Sequence, residues 1–445
     1  MPRQQPTPNP PESTSRAAMP ILLLLLLLVL FYSVSPAQED DRRRLEGEIH
    51  GGPAAIKIAV PAPLSNLPQD ENAAELVVTL RDDLEFSTIF DIVAPSLYSL
   101  VPPAEGSEER HEDWLSIGAD ALVRLSLRSG DGRIDLEARL YDNSGGGLLF
   151  ARRYGGSSDL VRRLAHTLAN DLVKHYTGQS GIATTRIAFV SSHGDNKEIY
   201  LMDYDGRRIR RLTTSGTINL TPAWSPDGNE LAYLSWRGRQ PAVYVISSEG
   251  TIGTLKIVGG ELSSAPDWSP DGRKLVYSSD ADGNLELYVL DRTTNRNTRL
   301  TRNPAIETAP AYSPNGREIA FTSDRTGAPQ IYIMDAEGLN VRRVSWSGGY
   351  NDSAAWSPNG DRLAYASRID GRFEIVILDL ATENVTRLTR DVGNNENPRW
   401  SPDGRHIIFA SNRTGEYQIY TMRADGGDLR QLTRGRESFT PDWSR

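Results

Sequence analysis

The sequence predicts an α/β N-terminal domain followed by an all-β six-bladed β-propeller that is closed by pairing of the C-terminal strand with the first blade. Three observations predict this fold. A unit of 44 residues recurs through the second part of the 445-residue chain. Each complete unit holds four short runs of β-branched and aromatic residues. The last unit consists of its first run alone. Four-stranded units repeated every 40 to 45 residues are typical of propeller blades.

A cleaved secretory signal is predicted over residues 1–37. An apolar run at 21–34 follows a stretch with Arg3 and Arg16, and small residues stand at 35–37. The run is shorter than the roughly 20 residues that span a bilayer, and this pattern is typical of a signal peptide, with an uncleaved anchor as the alternative. Removing these residues takes away two Arg and one Glu and changes the formal charge from −9 to −10. An acidic exported chain is a poor candidate for binding nucleic acid.

Residues 53–180 predict a small α/β domain. The runs IKIAVPAP and FDIVAP are strand-like, and the segment between them has helical periodicity. One face of that helix carries Ala73, Leu76, Leu80 and Leu84. HEDWLSIG predicts a short helix, and ALVRLSL, RIDLEARLYD and LLFARRY predict a three-stranded meander. A last helix carries Leu160, Leu164, Leu168 and Leu172 in one stripe and ends at Gly178.

The repeats over 181–445 keep a constant interval. Apolar triplets of the IAF and LAY type begin at 187, 231, 275, 319, 363 and 407. Aromatic residues follow the same interval of 44, except for a final step of 43: Trp224, Trp268, Tyr312, Trp356, Trp400 and Trp443. Ser-Pro-Asp-Gly or Ser-Pro-Asn-Gly stands five times between the first two strands of a unit and combines three residues suited to a tight turn. The six triplets predict six blades.

The two ends of the repeat region complement each other. The first unit begins at Arg186 without the PxWSPDG strand, and the chain ends with PDWSR. We therefore expect PDWSR to form the innermost strand of the first blade. Pairing the ends removes two open sheet edges and buries Trp443, which contributes roughly 2–3 kcal/mol.

The sequence contains no recognisable catalytic motif. Its six histidines show no spacing typical of a metal site, and nucleophile elbows and phosphate-binding loops are missing from the sequence. Peptidases of the prolyl-oligopeptidase type carry similar propeller repeats, but a large α/β-hydrolase domain follows their propeller. A propeller hydrolase or lactonase with a metal in the channel remains an alternative, as does a secreted propeller that binds an unknown ligand or glycan.

The order of these features resembles the TolB family of the Tol–Pal system. The resemblance rests on the signal peptide, the α/β domain, the junction HYTGQSGIATTRIAFVSS and six repeats of the WSPDG…LAY…IYxMDxDG…RRLT kind closed by PDWS. It covers about residues 44–445. It implies a monomeric, non-enzymatic periplasmic adaptor without cofactor or metal, which supports outer-membrane integrity and cell division. The implied partners are the lipoprotein Pal, which would hold the protein at the outer membrane, and the C-terminal domain of TolA.

The resemblance also implies two binding regions. Six small, polar and varied stretches are expected as loops that lead into the innermost strands: 217–222, 261–266, 305–310, 350–355, 394–399 and 437–441. The predicted Pal contacts in these stretches are Leu262, Ser264, Ala265, Glu307, Thr308, Asp352, Glu396 and Phe439. Within the N-terminal segment 38–52, the alternating run RLEGEIHGG aligns loosely with the family's TolA-binding strand. Its candidate contacts are Leu45, Glu46, Glu48 and Ile49, and a simple disordered terminus is the alternative.

Overall fold

The structure is a computed structural model that describes residues 55–67, 70–102, 110–238, 240–257, 260 and 262–445. The predicted signal peptide and the predicted TolA contacts Leu45, Glu46, Glu48 and Ile49 lie outside the described residues. Within the described part of the chain, no helix combines the length and apolar character that a membrane span requires.

The first part of the described chain is a mixed sheet covered by helices. Its strands are β1 (Ile56–Ala59), β2 (Leu64–Ser65), β3 (Phe90–Ile92), β4 (Ala121–Gly130), β5 (Arg133–Asp142) and β6 (Leu148–Ser157). Its helices are α1 (Glu71–Phe86), α2 (His111–Ser116) and α3 (Val161–Thr177), with 3₁₀ turns at Pro95–Leu100 and Ser158–Leu160. The strand order is β3-β1-β4-β5-β6, with β2 beside β4. Strand β1 pairs in parallel with β3 and β4, whereas β4, β5 and β6 form the predicted antiparallel meander.

The two long helices begin and end where local chemistry favours it. Asp70 caps α1 by accepting hydrogen bonds from the N–H groups of Asn72 and Ala73. The predicted apolar stripe of α1 is buried. Helix α3 ends at Gly178, whose φ of 75° is accessible to glycine without strain, as predicted. Leu160 lies in the 3₁₀ turn before α3 rather than in the helix.

Six four-stranded sheets follow in the part of the chain that the structure describes. Blade 1 contains β7 (Arg186–His193), β8 (Asn196–Asp203) and β9 (Arg210–Arg211). Blade 2 contains β10 (Asn219–Trp224), β11 (Glu230–Ser235), β12 (Ala242–Ser247) and β13 (Ile252–Ile257). Blade 3 contains β14 (Ser263–Trp268), β15 (Lys274–Ser279), β16 (Glu286–Asp291) and β17 (Arg296–Arg299).

The remaining blades repeat the same order. Blade 4 contains β18 (Glu307–Tyr312), β19 (Glu318–Ser323), β20 (Gln330–Asp335) and β21 (Arg342–Arg343). Blade 5 contains β22 (Asn351–Trp356), β23 (Arg362–Ile369), β24 (Arg372–Asp379) and β25 (Val385–Arg387). Blade 6 contains β26 (Asn395–Trp400), β27 (His406–Ser411), β28 (Gln418–Arg423) and β29 (Arg430–Gln431). The last strand is β30 (Ser438–Trp443).

The last strand closes the ring, which confirms the prediction. β30 pairs antiparallel with β7, with Trp443 opposite Ile187, so that the sheet order of blade 1 is β30-β7-β8-β9. The indole N–H of Trp443 donates to Thr185 Oγ1 over 2.8 Å. Each inner strand contacts the inner strand of the next blade, and β30 contacts both β26 and β10. The six inner strands therefore surround a central channel.

The hairpin turns form as the sequence predicts. In blade 2, the Ser225 hydroxyl donates to Asp227 Oδ1 and accepts from the Glu230 N–H at 2.9 Å. Gly228 has a φ of 68°, and its N–H donates to the Ser225 carbonyl. These bonds fix the turn between the first two strands of the blade.

The α/β part shares its hydrophobic core with the ring. One cluster of buried residues extends from α1, α3 and the mixed sheet to Tyr204 and Trp443 in blade 1 and to Ile408 in blade 6. The α/β part thus packs on the two blades that meet at the closing strand. The domain boundary at 180/181 stays a prediction; helix α3 ends at Thr177 and β7 begins at Arg186.

Candidate partner-binding face

All inner strands begin at the same end of the ring, which we call the mouth face. The six stretches predicted as loops mostly belong to the inner strands themselves, which begin at Asn219, Ser263, Glu307, Asn351, Asn395 and Ser438. The loop prediction was wrong because small polar residues and proline obscure the strand pattern. Five of the six inner strands carry such a proline, and in each of them it lies within a bulge, where a proline is tolerated without breaking the sheet.

A bulge recurs at the same level in every inner strand. The pairing register shifts at this point in β10, β14, β18, β22, β26 and β30. The third residue of each strand has a positive φ: Thr221, Ala265, Ala309, Ser353, Asn397 and Thr440. A left-handed backbone at non-glycine residues costs energy and persists only where surrounding structure holds it. The predicted contact Ala265 is one of these six residues, so its backbone conformation shapes the mouth face.

Five of the eight predicted contacts form one ring around the channel. Each is the second residue of its inner strand: Ser264, Thr308, Asp352, Glu396 and Phe439. The sixth member of this mouth ring is Leu220, which sequence reasoning missed. The constant interval of 44 residues before Ser264 points to Leu220 and could have found it.

The mouth ring is acidic on the side of blades 5 and 6. Asp352 accepts hydrogen bonds from the Thr322 hydroxyl and from the Ser353 N–H, both at 2.7 Å. Burial raises the pKa of the Asp352 carboxyl despite these bonds. Burial also raises the pKa of Glu396, which accepts a hydrogen bond from the Tyr417 hydroxyl and faces the charge of Asp352. Two neighbouring carboxylates in a confined space disfavour each other's charge.

The neighbouring blade 1 adds an aromatic and basic sector to the mouth ring. Phe439 is partly buried, and the Lys197 ammonium lies 4.2 Å from the centroid of its ring. Lys197 also approaches Glu437 at 3.5 Å. The mouth ring therefore offers acidic, polar and apolar sectors to a partner.

Three predicted contacts are buried rather than presented to solvent. The exposed fractions of Leu262, Ser264 and Glu307 are 7%, 8% and 0%. The carboxylate of Glu307 accepts two hydrogen bonds from Arg325, at 2.9 and 3.0 Å, and burial raises its pKa. A fully buried, paired Glu307 cannot touch a partner while the blades are intact. It supports Thr308, the next residue of β18, instead.

Glu307 belongs to a belt of buried hydrogen bonds between neighbouring blades. A buried serine stands at or near the end of the second strand of every blade: Ser191, Ser235, Ser279, Ser323, Ser367 and Ser411. Ser235 donates to Asn219, which in turn donates to Glu198 of the preceding blade over 2.9 Å. Sequence reasoning missed this belt, although its serines keep the interval of 44 residues. These buried hydrogen bonds hold in place the strand ends that form the mouth face.

A second polar level lies deeper in the channel. Asp442 accepts a hydrogen bond from the Trp224 N–H at 2.7 Å and pairs with Arg399 at 3.3 Å. Burial raises the pKa of Asp442 to about 6, even though Arg399 opposes this. Asp267 likewise accepts from the Tyr312 N–H at 2.7 Å. These bonds tie inner strands to each other, and no group of three or more His, Cys, Asp or Glu among the described residues is arranged to hold a metal ion.

Comparisons with known proteins identify the family. The TolB beta propeller domain matches residues 173–384 and 352–445, and the TolB amino-terminal domain matches residues 48–148. The chain belongs to the TolB family. A crystal structure of TolB from Acinetobacter baumannii superimposes with a TM-score of 0.76 at 26% identity, covering 90% of this chain and 98% of that one. TolB membership therefore applies to both the α/β part and the propeller.

Curated TolB relatives match this chain more strongly in sequence over a shorter span. The Tol-Pal system protein TolB of Geobacter sulfurreducens is 40% identical over 205 residues, which are 45% of this chain and 46% of that protein. The TolB homolog of Chlorobium luteolum is 37% identical over 161 residues, 36% of this chain and 37% of that protein. The chain thus matches less than half the length of these curated TolB relatives.

Proposed function

We propose that this protein is a periplasmic adaptor of a Tol–Pal system that binds a Pal-type lipoprotein and TolA and catalyses no reaction. The observation that carries this proposal is the match of both parts of the chain to the TolB family. Relatives of this family are named as Tol-Pal system proteins. By linking the two partners, the adaptor would support outer-membrane integrity and invagination during cell division.

The mouth ring is the proposed docking site for Pal. The inner strands hold the varied side chains of the mouth ring at one level, and rigid scaffolds with varied surface residues are suited to recognition. Thr308, Asp352, Glu396 and Phe439 keep partial exposure there, so their side chains remain available to a partner. Leu262, Ser264 and Glu307 would act indirectly by holding the inner strands in place.

The N-terminal segment is the proposed TolA-binding region. Its alternating Leu45, Glu46, Glu48 and Ile49 suit an extended strand that adds to the edge of a partner's sheet. Deletion of residues 38–50 should abolish binding to the TolA C-terminal domain in a titration and leave Pal binding unchanged. Unchanged TolA affinity in the deleted protein would refute this part of the proposal.

Co-purification from an envelope extract tests the Pal proposal. Thr308→Trp and Glu396→Trp place bulky side chains in the mouth ring and should reduce capture of a Pal-type lipoprotein at least tenfold. Arg317→Trp is the matched control, because Arg317 is exposed in the same blade as Thr308 but follows the hairpin turn at the opposite end of the inner strand. Equal capture by all three variants would show that the Pal-type lipoprotein does not bind at the mouth ring. Capture of a glycan without any lipoprotein would favour a ligand-binding propeller instead.

A further inference from the structure

The last residue of α1 inserts between the propeller blades that flank the closing strand. Phe86 is buried, and its ring stacks on the His406 imidazole of blade 6 with centroids 4.0 Å apart and planes 9° apart. The edge of Phe86 meets Tyr204 of blade 1 at 5.0 Å, and the Arg430 guanidinium lies 5.1 Å from its ring centroid. Phe86 therefore joins the α/β part to two blades at once.

His406 is unusual among the repeats. It begins the second strand of blade 6, where the other blades carry charged residues: Arg186, Glu230, Lys274, Glu318 and Arg362. His406 is 1% exposed, and neither ring nitrogen has a hydrogen-bond partner among the described residues. A charged imidazolium in this position would lose its hydration without gaining a hydrogen bond.

Burial accordingly lowers the pKa of His406 to about 4. The charged groups that face His406 from the propeller are Asp403 and Arg405 in the hairpin turn, Asp428 in the turn after β28, and Arg430 in β29. The two aspartates favour the charged ring and the two arginines disfavour it. These opposing charges leave desolvation as the dominant effect, and the docked joint holds a neutral ring at pH 7.

A buried carboxylate from α1 lies at the same joint. Asp83 contacts His166 Nδ1 of α3 at 2.7 Å and accepts a hydrogen bond from the Tyr204 hydroxyl of blade 1. Burial raises the pKa of Asp83, so protonation of this carboxyl favours the docked state. Asp83 therefore opposes any acid-driven release, and a release in acid has to come from another group.

We propose that the joint of Phe86 with His406 is an acid-sensitive latch. The α/β part stays docked on blades 1 and 6 while the His406 ring is uncharged, and protonation of that ring expels Phe86 and releases the α/β part. Release exposes the surface of blades 1 and 6 beside the closing strand β30. The latch is a property of the joint and does not depend on which partner the mouth ring binds.

The size of the effect follows from the change in proton affinity. A solvent-exposed histidine has a pKa of about 6.5, against about 4 in the docked joint. Between these values each pH unit weakens docking about tenfold, because the released state binds one more proton. Docking should therefore weaken on the order of 100-fold between pH 7.5 and pH 4.

Fluorescence energy transfer in the full chain tests the latch. The sequence contains no cysteine, so Arg128→Cys in β4 and Arg273→Cys beside β15 accept dyes at exposed positions on the two parts. Transfer should change between pH 7.5 and pH 4, while the far-ultraviolet circular dichroism of the blades stays constant. A pair within the propeller, Arg273→Cys with the exposed Arg390→Cys, controls for the effect of pH on the dyes.

Two substitutions decide the outcome. His406→Phe keeps a stacked ring that cannot be protonated and should stay docked throughout the pH range. His406→Arg carries a permanent charge and should be released already at pH 7.5 with its propeller folded. Identical pH profiles of wild type and His406→Phe would overturn the proposal. The proposal would also be overturned if His406→Arg stayed docked at pH 7.5. The result for His406→Arg is informative even if acid unfolds the wild type, because it is measured at pH 7.5.

Discussion

Replacing Trp443 by alanine should strongly destabilise the ring. Trp443 is 5% exposed, pairs opposite Ile187 and donates its indole N–H to Thr185 Oγ1. The substitution leaves a cavity in the core that the α/β part shares with blades 1 and 6. Truncation of a buried tryptophan costs about 3–5 kcal/mol. Because this side chain belongs to the strand that completes blade 1, the loss also loosens the closure itself.

Urea unfolding followed by circular dichroism measures this change, and the chain offers a matched control. Trp346 is 67% exposed, with the Arg343 guanidinium 4.8 Å from its ring centroid, so Trp346→Ala should change the free energy of unfolding by less than about 0.5 kcal/mol. Trp443→Phe should fall between the two, because it keeps most of the buried area and loses one hydrogen bond worth about 1 kcal/mol. Equal unfolding free energies for Trp443→Ala and Trp346→Ala would refute the closure argument.

Three further predictions concern buried polar groups. Tyr365→Phe should stabilise blade 5 by about 1 kcal/mol, since the Tyr365 hydroxyl is buried without a partner among the described residues. Arg325→Ala should destabilise the protein by about 3 kcal/mol, because it leaves the buried carboxylate of Glu307 unpaired. Burial raises the pKa of the Asp442 carboxyl to about 6 in the folded protein, above its unfolded value. The protonated carboxyl therefore contributes to stability below pH 4, and this contribution is lost as the pH rises through 6. Asp442→Asn should remove this loss, which is worth roughly 2–3 kcal/mol.

Each of these predictions has a control or a contradicting result. For Tyr365→Phe, a lower melting temperature than that of the wild type would contradict the prediction. Arg342→Ala controls for Arg325→Ala, because Arg342 is half exposed in its pair with Glu318 and should cost little. Asp442→Asn is compared with wild type by urea unfolding at pH 4.5 and pH 7.5. An equal difference between the two proteins at both pH values would show that Asp442 does not titrate in this range.

Most of the fold could be predicted from the repeat pattern. The interval of 44 residues fixed the number of blades, and the incomplete first and last units predicted that Trp443 pairs with the strand of Ile187. These features are local in sequence or periodic, so a single chain reveals them. The helical stripe of α1 and the stop at Gly178 were predicted for the same reason.

The candidate site was less predictable because it depends on how neighbouring blades meet. Glu307 is polar and adjacent to Thr308, so the sequence suggested an exposed contact. Glu307 is, however, the first residue of its inner strand, and the residue at this position faces the preceding blade and is buried. The presence of Arg325 eighteen residues later was the available signal for such a pair. The contact of Phe86 with His406 joins residues 320 positions apart, one in the α/β part and one in the propeller, and no sequence period relates them.

Site-specific photo-crosslinking in intact cells tests the central claim that the mouth ring holds a Pal-type lipoprotein. A benzophenone side chain is placed at position 308 in the mouth ring and, in a second protein, at position 317 at the opposite end of the same blade. Docking of Pal on the mouth ring should give a crosslink to a Pal-type lipoprotein from position 308 and none from position 317. A lipoprotein crosslink from position 317 alone, or from neither position, would contradict it.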